Sequence, residues 1–338
     1  MRIAILAHEK FPDRAKTALG VLRYADYDVV AVLDREQAGT RVHDHVPDVQ
    51  DAPIVAGMDD LEEPIDALLI GIAPIGGGFE ESWRPDVRRA LEAGCDVISG
   101  LHYFLSDDEE FAALAAEHDC ELWDVREPHD DLTVSQGIAD EIDAEVILTV
   151  GTDCSVGKMT VSMELARAAQ RAGHDAAVIP TGQTGIMIEG WGNPVDRVVS
   201  DFTAGAVEEM ILEKGDDHDY LFVEGQGTIV HPAYSAVTCG ILHGAMADKL
   251  VLCHTAGREA IHGYESFSLP PTEDYVSLYE NLAEPVKPTT VAAGALNTRG
   301  IAEDEEARRA VEAYAEKLEV PATDVVRFDP GEVLDALL

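Results

Sequence analysis

The apolar run Val146-Ile147-Leu148-Thr149-Val150 passes directly into Gly151-Thr152-Asp153-Cys154-Ser155-Val156-Gly157-Lys158-Met159-Thr160, and a helix-period stretch continues to Ala172. Few folds accept that order. The apolar run reads as a buried strand, the glycines let the loop turn its N–H groups inward, and the helix adds about half a positive charge at its N-terminus. Such a loop holds a phosphate, with Lys158 as a mobile cation for the outer oxygens. The match to G-x-x-x-x-G-K-[ST] departs in two places. Five residues separate Gly151 from Gly157, and Met159 stands between Lys158 and Thr160. One added helical residue turns a side chain by about 100° and advances it ~1.5 Å. Thr160 is therefore expected to miss the register from which a P-loop hydroxyl meets Mg²⁺. The expectation is a bound phosphate with no protein-held metal.

Apolar runs and helix-period segments alternate along the whole chain, the pattern of α/β folds. Strands are expected at 3–7, 28–33, 66–72, 96–100 and 121–125, with helices near 15–23, 85–93 and 107–117. They make one doubly wound, Rossmann-like unit. The acid-rich stretch 127–145, with Pro128, reads as a linker. A second series has strands at 146–150, 176–180, 220–223, 249–253, 289–294 and 324–328, and helices at 158–172, 203–214, 236–247 and 303–318. The chain's 338 residues, at roughly 150 per domain, give two domains. We place the Rossmann-like one at 1–140 and the P-loop NTPase-like one at 141–338. The first carries His8-Glu9-Lys10-Phe11-Pro12 after its first strand instead of G-x-G-x-x-G, so NAD binding is unsupported. Gly76-Gly77-Gly78 and Ser99-Gly100-Leu101-His102 follow its later strands and are read as lining an interdomain cleft.

Charge narrows the partners. Sixty-five Asp and Glu stand against 24 Lys and Arg, a net −41, while 46% of residues are hydrophobic. An intact apolar fraction means that the acid coats a folded protein and does not mark disorder. Phosphate neutralisation needs clustered Lys and Arg, and none occurs, so nucleic acid and anionic membranes are excluded as partners. An even acidic coat with few lysines suits a salt-rich, halophilic cytoplasm, where screening shortens self-repulsion. Five widely spaced cysteines without a C-x-x-C pair fit reduced thiols. Met1 to Leu6 is too short an apolar run for a signal peptide, and no run of 18 apolar residues exists. A cytoplasmic homo-oligomer acting on a small molecule is expected.

The loop at 151–158 resembles that of dethiobiotin synthetase, which has the same spacer but Thr directly after Lys. Val223-Glu224-Gly225-Gln226-Gly227 is similar to its acidic Glu-Gly segment, yet its substrate Lys-Pro is replaced here by Pro180-Thr181-Gly182-Gln183. A fuller resemblance covers nearly the whole chain. Gly71-Ile72-Ala73-Pro74-Ile75-Gly76-Gly77, Val97 to His102, the loop at 151–160, Pro180 to Gly185 and Val223 to Pro232 together resemble the DgcN-type D-glutamate N-acetyltransferase family. The resemblance implies acetyl transfer from acetyl-CoA to a small amino acid, D-glutamate in the characterised member. The alternative is an ATP- and Mg²⁺-dependent ligase or kinase on the same loop.

An inward N–H loop with Lys158 binds a phosphate of coenzyme A as readily as one of ATP. Acetyl transfer needs a base for the amine proton and donors for the oxyanion. Glu224 and His231, after the strand ending at Val223, are the candidates for base. Glu224 could equally hold a metal-bound water, and His231, before Pro232, could cap a turn. Thr181, Gln183, Thr184 and Gln226 either bind a substrate carboxylate or oxyanion, or satisfy their own backbone. Asn297, at a strand exit, either reads adenine or makes a turn. Asp201 is expected as a helix N-cap, and Cys154 as a small loop residue.

Overall fold

The computed structural model describes every residue except Ile75, so that position of the Gly71–Gly77 segment lies outside the described residues. Among them the chain forms two six-stranded sheets and a two-stranded hairpin. It divides into two units, Met1–Pro128 with Gln183–Pro194, and His129–Gly182 with Val195–Leu338.

The first unit has strands β1 (Arg2–Leu6), β2 (Asp28–Leu33), β3 (Ile54–Val55), β4 (Ala67–Ile70), β5 (Asp96–Ser99) and β6 (Leu122–Asp124). They pair in parallel in the order β3-β2-β1-β4-β5-β6, the Rossmann order with its reversal between β1 and β4. β4 is buried throughout, as expected of a central strand covered on both faces. Helices α1 (Lys16–Tyr24), α2 (Arg84–Glu92) and α3 (Glu109–His118) follow the expected positions. Asp108 caps α3 by accepting from Glu110 and Phe111 N–H, and Arg84 grips the same carboxylate at 2.7 Å. The segment that replaces a nucleotide-binding glycine loop is tied down: Asp34, at the end of β2, accepts from Phe11 N–H at 3.1 Å. Gly77 and His102 meet, His102 N–H donating to the Gly77 carbonyl at 2.9 Å.

The second unit has β7 (Glu145–Gly151), α4 (Lys158–Arg171) and β8 (Ala176–Ile179). Next in sequence is α5 (Gln183–Glu189), which belongs to the first unit. Then come α6 (Thr203–Gly215), β9 (Tyr220–Val223), α7 (Ser235–Ala245) and β10 (Lys249–Thr255), with a hairpin of β11 (Ala260–Ile261) and β12 (Tyr264–Ser268). The chain ends with α8 (Thr272–Ala283), β13 (Thr290–Asn297), α9 (Asp304–Leu318), β14 (Ala322–Thr323) and α10 (Gly331–Leu337). The parallel sheet runs β14-β13-β10-β7-β9-β8, so the strand that feeds the phosphate loop is flanked by β10 and β9.

Four features depart from the sequence reading. The stretch 129–145 packs on α6 in the second unit: the buried Glu208 carboxylate accepts from Gln136 and Ile138 N–H and the Ser135 hydroxyl. Pairing at the expected strand 324–328 stops at Thr323, because the Asp324 carboxylate turns the chain by accepting from Val326 and Arg327 N–H. Asp201 is exposed and α6 starts without a side-chain cap. Strand β3, helices α5 and α8 and the hairpin were not foreseen. Among the described residues, no helix is long and apolar enough to cross a membrane.

Candidate functional site

The loop from Gly151 to Lys158 has the backbone that its sequence predicts. Ser155 and Gly157 take positive φ, +54° and +108°, which turns the chain into α4, and only glycine enters the second of these without strain. Lys158 is 7% exposed and its Nζ donates to the Asp153 carbonyl at 2.9 Å. Thr149 and Ser162, hydroxyls 3.0 Å apart, pin α4 to the sheet, and Thr149 also donates to the Val223 carbonyl at 3.2 Å. Thr152, Asp153, Val156 and Met159 are buried, Cys154 and Thr160 partly so, and Ser155 is exposed.

Asp153 is wholly buried yet fully paired. Its carboxylate accepts from Arg258 at 2.8 Å, from His262 N–H at 2.9 Å and from Cys154 N–H at 2.7 Å. Two tyrosines of α8 hold the loop's carbonyls: Tyr279 donates to Gly151 O at 2.7 Å and Tyr275 to Thr152 O at 2.9 Å. Burial lifts the Tyr279 phenol to about 12 and raises that of Tyr275 as well, so both stay donors at any working pH. The Thr152 hydroxyl lies 2.7 Å from His254 Nδ1, and burial, with Arg258 and Lys317, lowers that imidazole to about 4. Tyr275, Tyr279, Arg258 and His254 escaped the sequence reading. No local motif marks them, because they reach the loop from β10, from the turn after it and from α8, all distant in sequence.

Glu224 leaves β9 next to the loop. A Cβ on Gly225 would stand 1.8 Å from the Thr149 carbonyl and 3.5 Å from Lys158 Cδ, so only glycine lets the chain pass this close to β7. The Glu224 carboxylate, 7% exposed, accepts from Gly182 N–H at 3.2 Å. Thr181 donates to the Glu224 carbonyl at 2.6 Å, and Gln226 Nε2 donates to the Thr181 carbonyl at 2.6 Å. The structure thus joins Thr181, Glu224 and Gln226 in one network, in which Thr181 and Gln226 satisfy backbone carbonyls. Gln183 and Thr184 belong to the first unit. The Thr184 hydroxyl meets that of Thr17 at 2.9 Å, and Gln183 packs over Gly100.

His231 is 1% exposed, its ring close to Tyr234 and Tyr264. Its Nδ1 accepts from Ala233 N–H at 3.0 Å and Tyr234 N–H at 3.3 Å, so the ring caps the turn ahead of α7. Burial lowers its basicity, and Lys158 acts in the same direction against the opposing pull of Asp153. A ring nitrogen, the Cys154 thiol and an Asp153 oxygen lie within 4.8 Å of one another. These are transition-metal donor types, but the hydrogen bonds above already occupy Asp153 Oδ2 and the His231 Nδ1 lone pair. Asn297 makes its turn, accepting from Arg299 N–H at 3.1 Å, and its amide also sits beside Gly157.

Fold and site define a two-unit α/β protein in which a Rossmann-like sheet is combined with a phosphate-loop sheet. The chain belongs to the DUF1611 family: residues 35–128 match its N-terminal Rossmann-like domain and residues 133–334 its C-terminal P-loop domain, both described as domains of unknown function. It is 36% identical over 275 residues to a D-glutamate N-acetyltransferase from Tritonibacter scottomollicae, covering 80% of each chain. A D-glutamate N-acetyltransferase from a Pseudoalteromonas species is 34% identical over 261 residues, 77% of each chain. The crystal structure of a DUF1611 family protein from Anabaena variabilis superposes with a TM-score of 0.94 at 37% identity, over 99% of this chain and 98% of that one.

Proposed function

We propose that this chain is an N-acetyltransferase that moves the acetyl group of acetyl-CoA to the amine of D-glutamate, in the cytoplasm of a salt-adapted cell. The names of the two relatives support the reaction and its substrate. The observation that carries the reading here is the neighbourhood of two adjacent strand exits: β7 ends in the phosphate loop with Lys158, and β9 ends in Glu224. A cation in a cradle of N–H groups suits the coenzyme's phosphates, and a nearly buried carboxylate suits a base. The loop is tight at Gly151, where a Cβ would stand 2.9 Å from Lys158 Nζ.

Bound acetyl-CoA supplies an activated thioester. Gly151, Gly157 and Lys158 hold its phosphates, and Asn297 lies where adenine would be read. The substrate amine attacks in its neutral form, its ammonium proton having gone to solvent, and Glu224 takes the proton that the nitrogen sheds as it is acylated. The nitrogen forms its bond to the carbonyl carbon as the carbon–sulfur bond breaks. The electron pair leaves on sulfur, and the proton returns to the coenzyme thiolate. Nothing in this sequence of steps calls for ATP.

The test follows coenzyme release and N-acetyl-D-glutamate formation by mass spectrometry, with D-glutamate, acetyl-CoA and EDTA. Turnover in EDTA is expected. Activity that appears only with Mg²⁺ and ATP would assign the site to a ligase or kinase.

A further inference from the structure

His231 was a candidate base, and its hydrogen bonds argue for a different task. A neutral imidazole has one lone pair and one N–H. The lone pair is on Nδ1, because two backbone N–H groups, from Ala233 and Tyr234, donate to it. The proton is therefore on Nε2, and the ring has no lone pair left with which to accept another. Protonating Nδ1 would set an N–H against two N–H groups, and burial already opposes the charged ring.

Nε2–H is left without a hydrogen-bond partner among the described residues, in a side chain 1% exposed. The atom is not among the fully enclosed side-chain atoms that lack a partner, so it keeps an opening to solvent through which a ligand can meet it. Its surroundings say what it awaits. A nitrogen of this ring lies within 4.8 Å of Asp153 and Cys154, both inside the phosphate loop, and Lys158 acts on the ring electrostatically. The nearby Asp153 carboxylate accepts from Arg258, His262 and Cys154, so it presents no unpaired charge to an incoming anion. Tyr234 and Tyr264, with ring centroids 4.6 and 5.0 Å away, hold the imidazole in place.

We infer that His231 is a phosphate-binding residue: a neutral ring with its tautomer fixed by the turn at 233–234, donating Nε2–H to a phosphate oxygen of the ligand held by the 151–158 loop. This rests on the reading of the loop as the coenzyme's phosphate site, and it leaves Glu224 as the base. A neutral donor adds a directed hydrogen bond without depending on pH, where Lys158 adds charge.

The experiment titrates wild type, His231→Gln and His231→Ala with free coenzyme A and, separately, with ADP, by calorimetry. Gln carries an amide N–H near the position of Nε2–H and cannot act as a base. Wild type and the glutamine variant are expected to bind within about fivefold of each other, and the alanine variant about tenfold to a hundredfold more weakly, the size of one lost bond to a charged group. Thermal melting of all three separates lost binding from lost folding. Nitrogen NMR of the free protein at neutral pH should show a pyridine-type Nδ1 and a pyrrole-type Nε2. An alanine variant that binds like wild type, a glutamine variant no better than alanine, or the opposite tautomer would each overturn the inference. Binding of ADP without coenzyme A would instead remove the coenzyme reading, and the role of His231 would be read on ADP. Binding of neither would end both.

Discussion

Arg258 and Asp153 form an ion pair inside the phosphate loop, 2.8 Å apart, with the carboxylate fully shielded from water. The same guanidinium nitrogen donates to the Cys154 carbonyl at 2.8 Å. A loop built to receive an anion carries a carboxylate of its own, and Arg258 makes that tolerable. Removing one partner of a buried pair leaves an uncompensated charge, at about 3–5 kcal/mol.

Arg258→Ala is therefore expected to lose several kcal/mol of stability, whereas the double variant Asp153→Asn/Arg258→Ala regains part of it. Urea titrations of the wild type, both single variants and the double variant measure the coupling. Additive effects would show that the pair contributes no coupling energy.

Lys158→Ala is expected to raise the acetyl-CoA KM while leaving that for D-glutamate little changed. Loss of a charge-assisted contact costs ~1.5–3 kcal/mol, about tenfold to a hundredfold. Initial rates with each substrate varied in turn suffice, and an unchanged coenzyme KM would refute the phosphate cradle.

His254 makes stability pH-dependent. Burial first, then Arg258 and Lys317, hold its pKa at about 4, against 6.5 for an unperturbed ring. Between these values the unfolded chain binds a proton that the folded chain refuses, so stability is intact above pH 6.5 and falls as the pH drops towards 4. The full loss is about 3 kcal/mol, reached only below the folded pKa. His254→Gln should flatten this part of the profile relative to wild type. Parallel profiles for the two proteins would mean that the ring does not titrate between the two states.

The net charge of −41 opposes both compactness and the approach of the two anionic substrates proposed above. The Debye length falls from ~10 Å at 0.1 M salt to ~3 Å at 1 M. Melting temperature and activity are expected to rise together between about 0.1 and 2 M KCl, where screening of the acidic surface outweighs screening of the single Lys158. Flat or falling curves in a salt scan at fixed pH would make the acidic coat incidental.

Local chemistry was readable where one segment carries its own explanation. Gly151, Gly157 and Lys158 announce the loop because strand, turn and helix follow one another in the chain. Where a residue serves a distant partner, sequence reading failed. Asp324 looked like part of a strand, and it instead ends pairing by taking the N–H groups of Val326 and Arg327, while also accepting from Thr298 N–H at 2.8 Å. Thr184 was open between binding substrate and satisfying its own backbone, and its contact with the Thr17 hydroxyl could not be read from the chain order.

The chain order of apolar runs, glycines and helix-period segments was enough to specify two α/β sheets and the position of the phosphate loop, because those depend on backbone geometry and short-range periodicity. Only the tertiary structure decided the electrostatics of the site. Burial of Asp153 would be prohibitive without Arg258, which stands 105 residues further along. The tautomer of His231 is fixed by a turn, whereas its nearness to the loop exists only once β7 and β9 pair. Charge and proton placement depend on distance in space, and distance in space is set by sheet pairing, which no local stretch of the sequence contains.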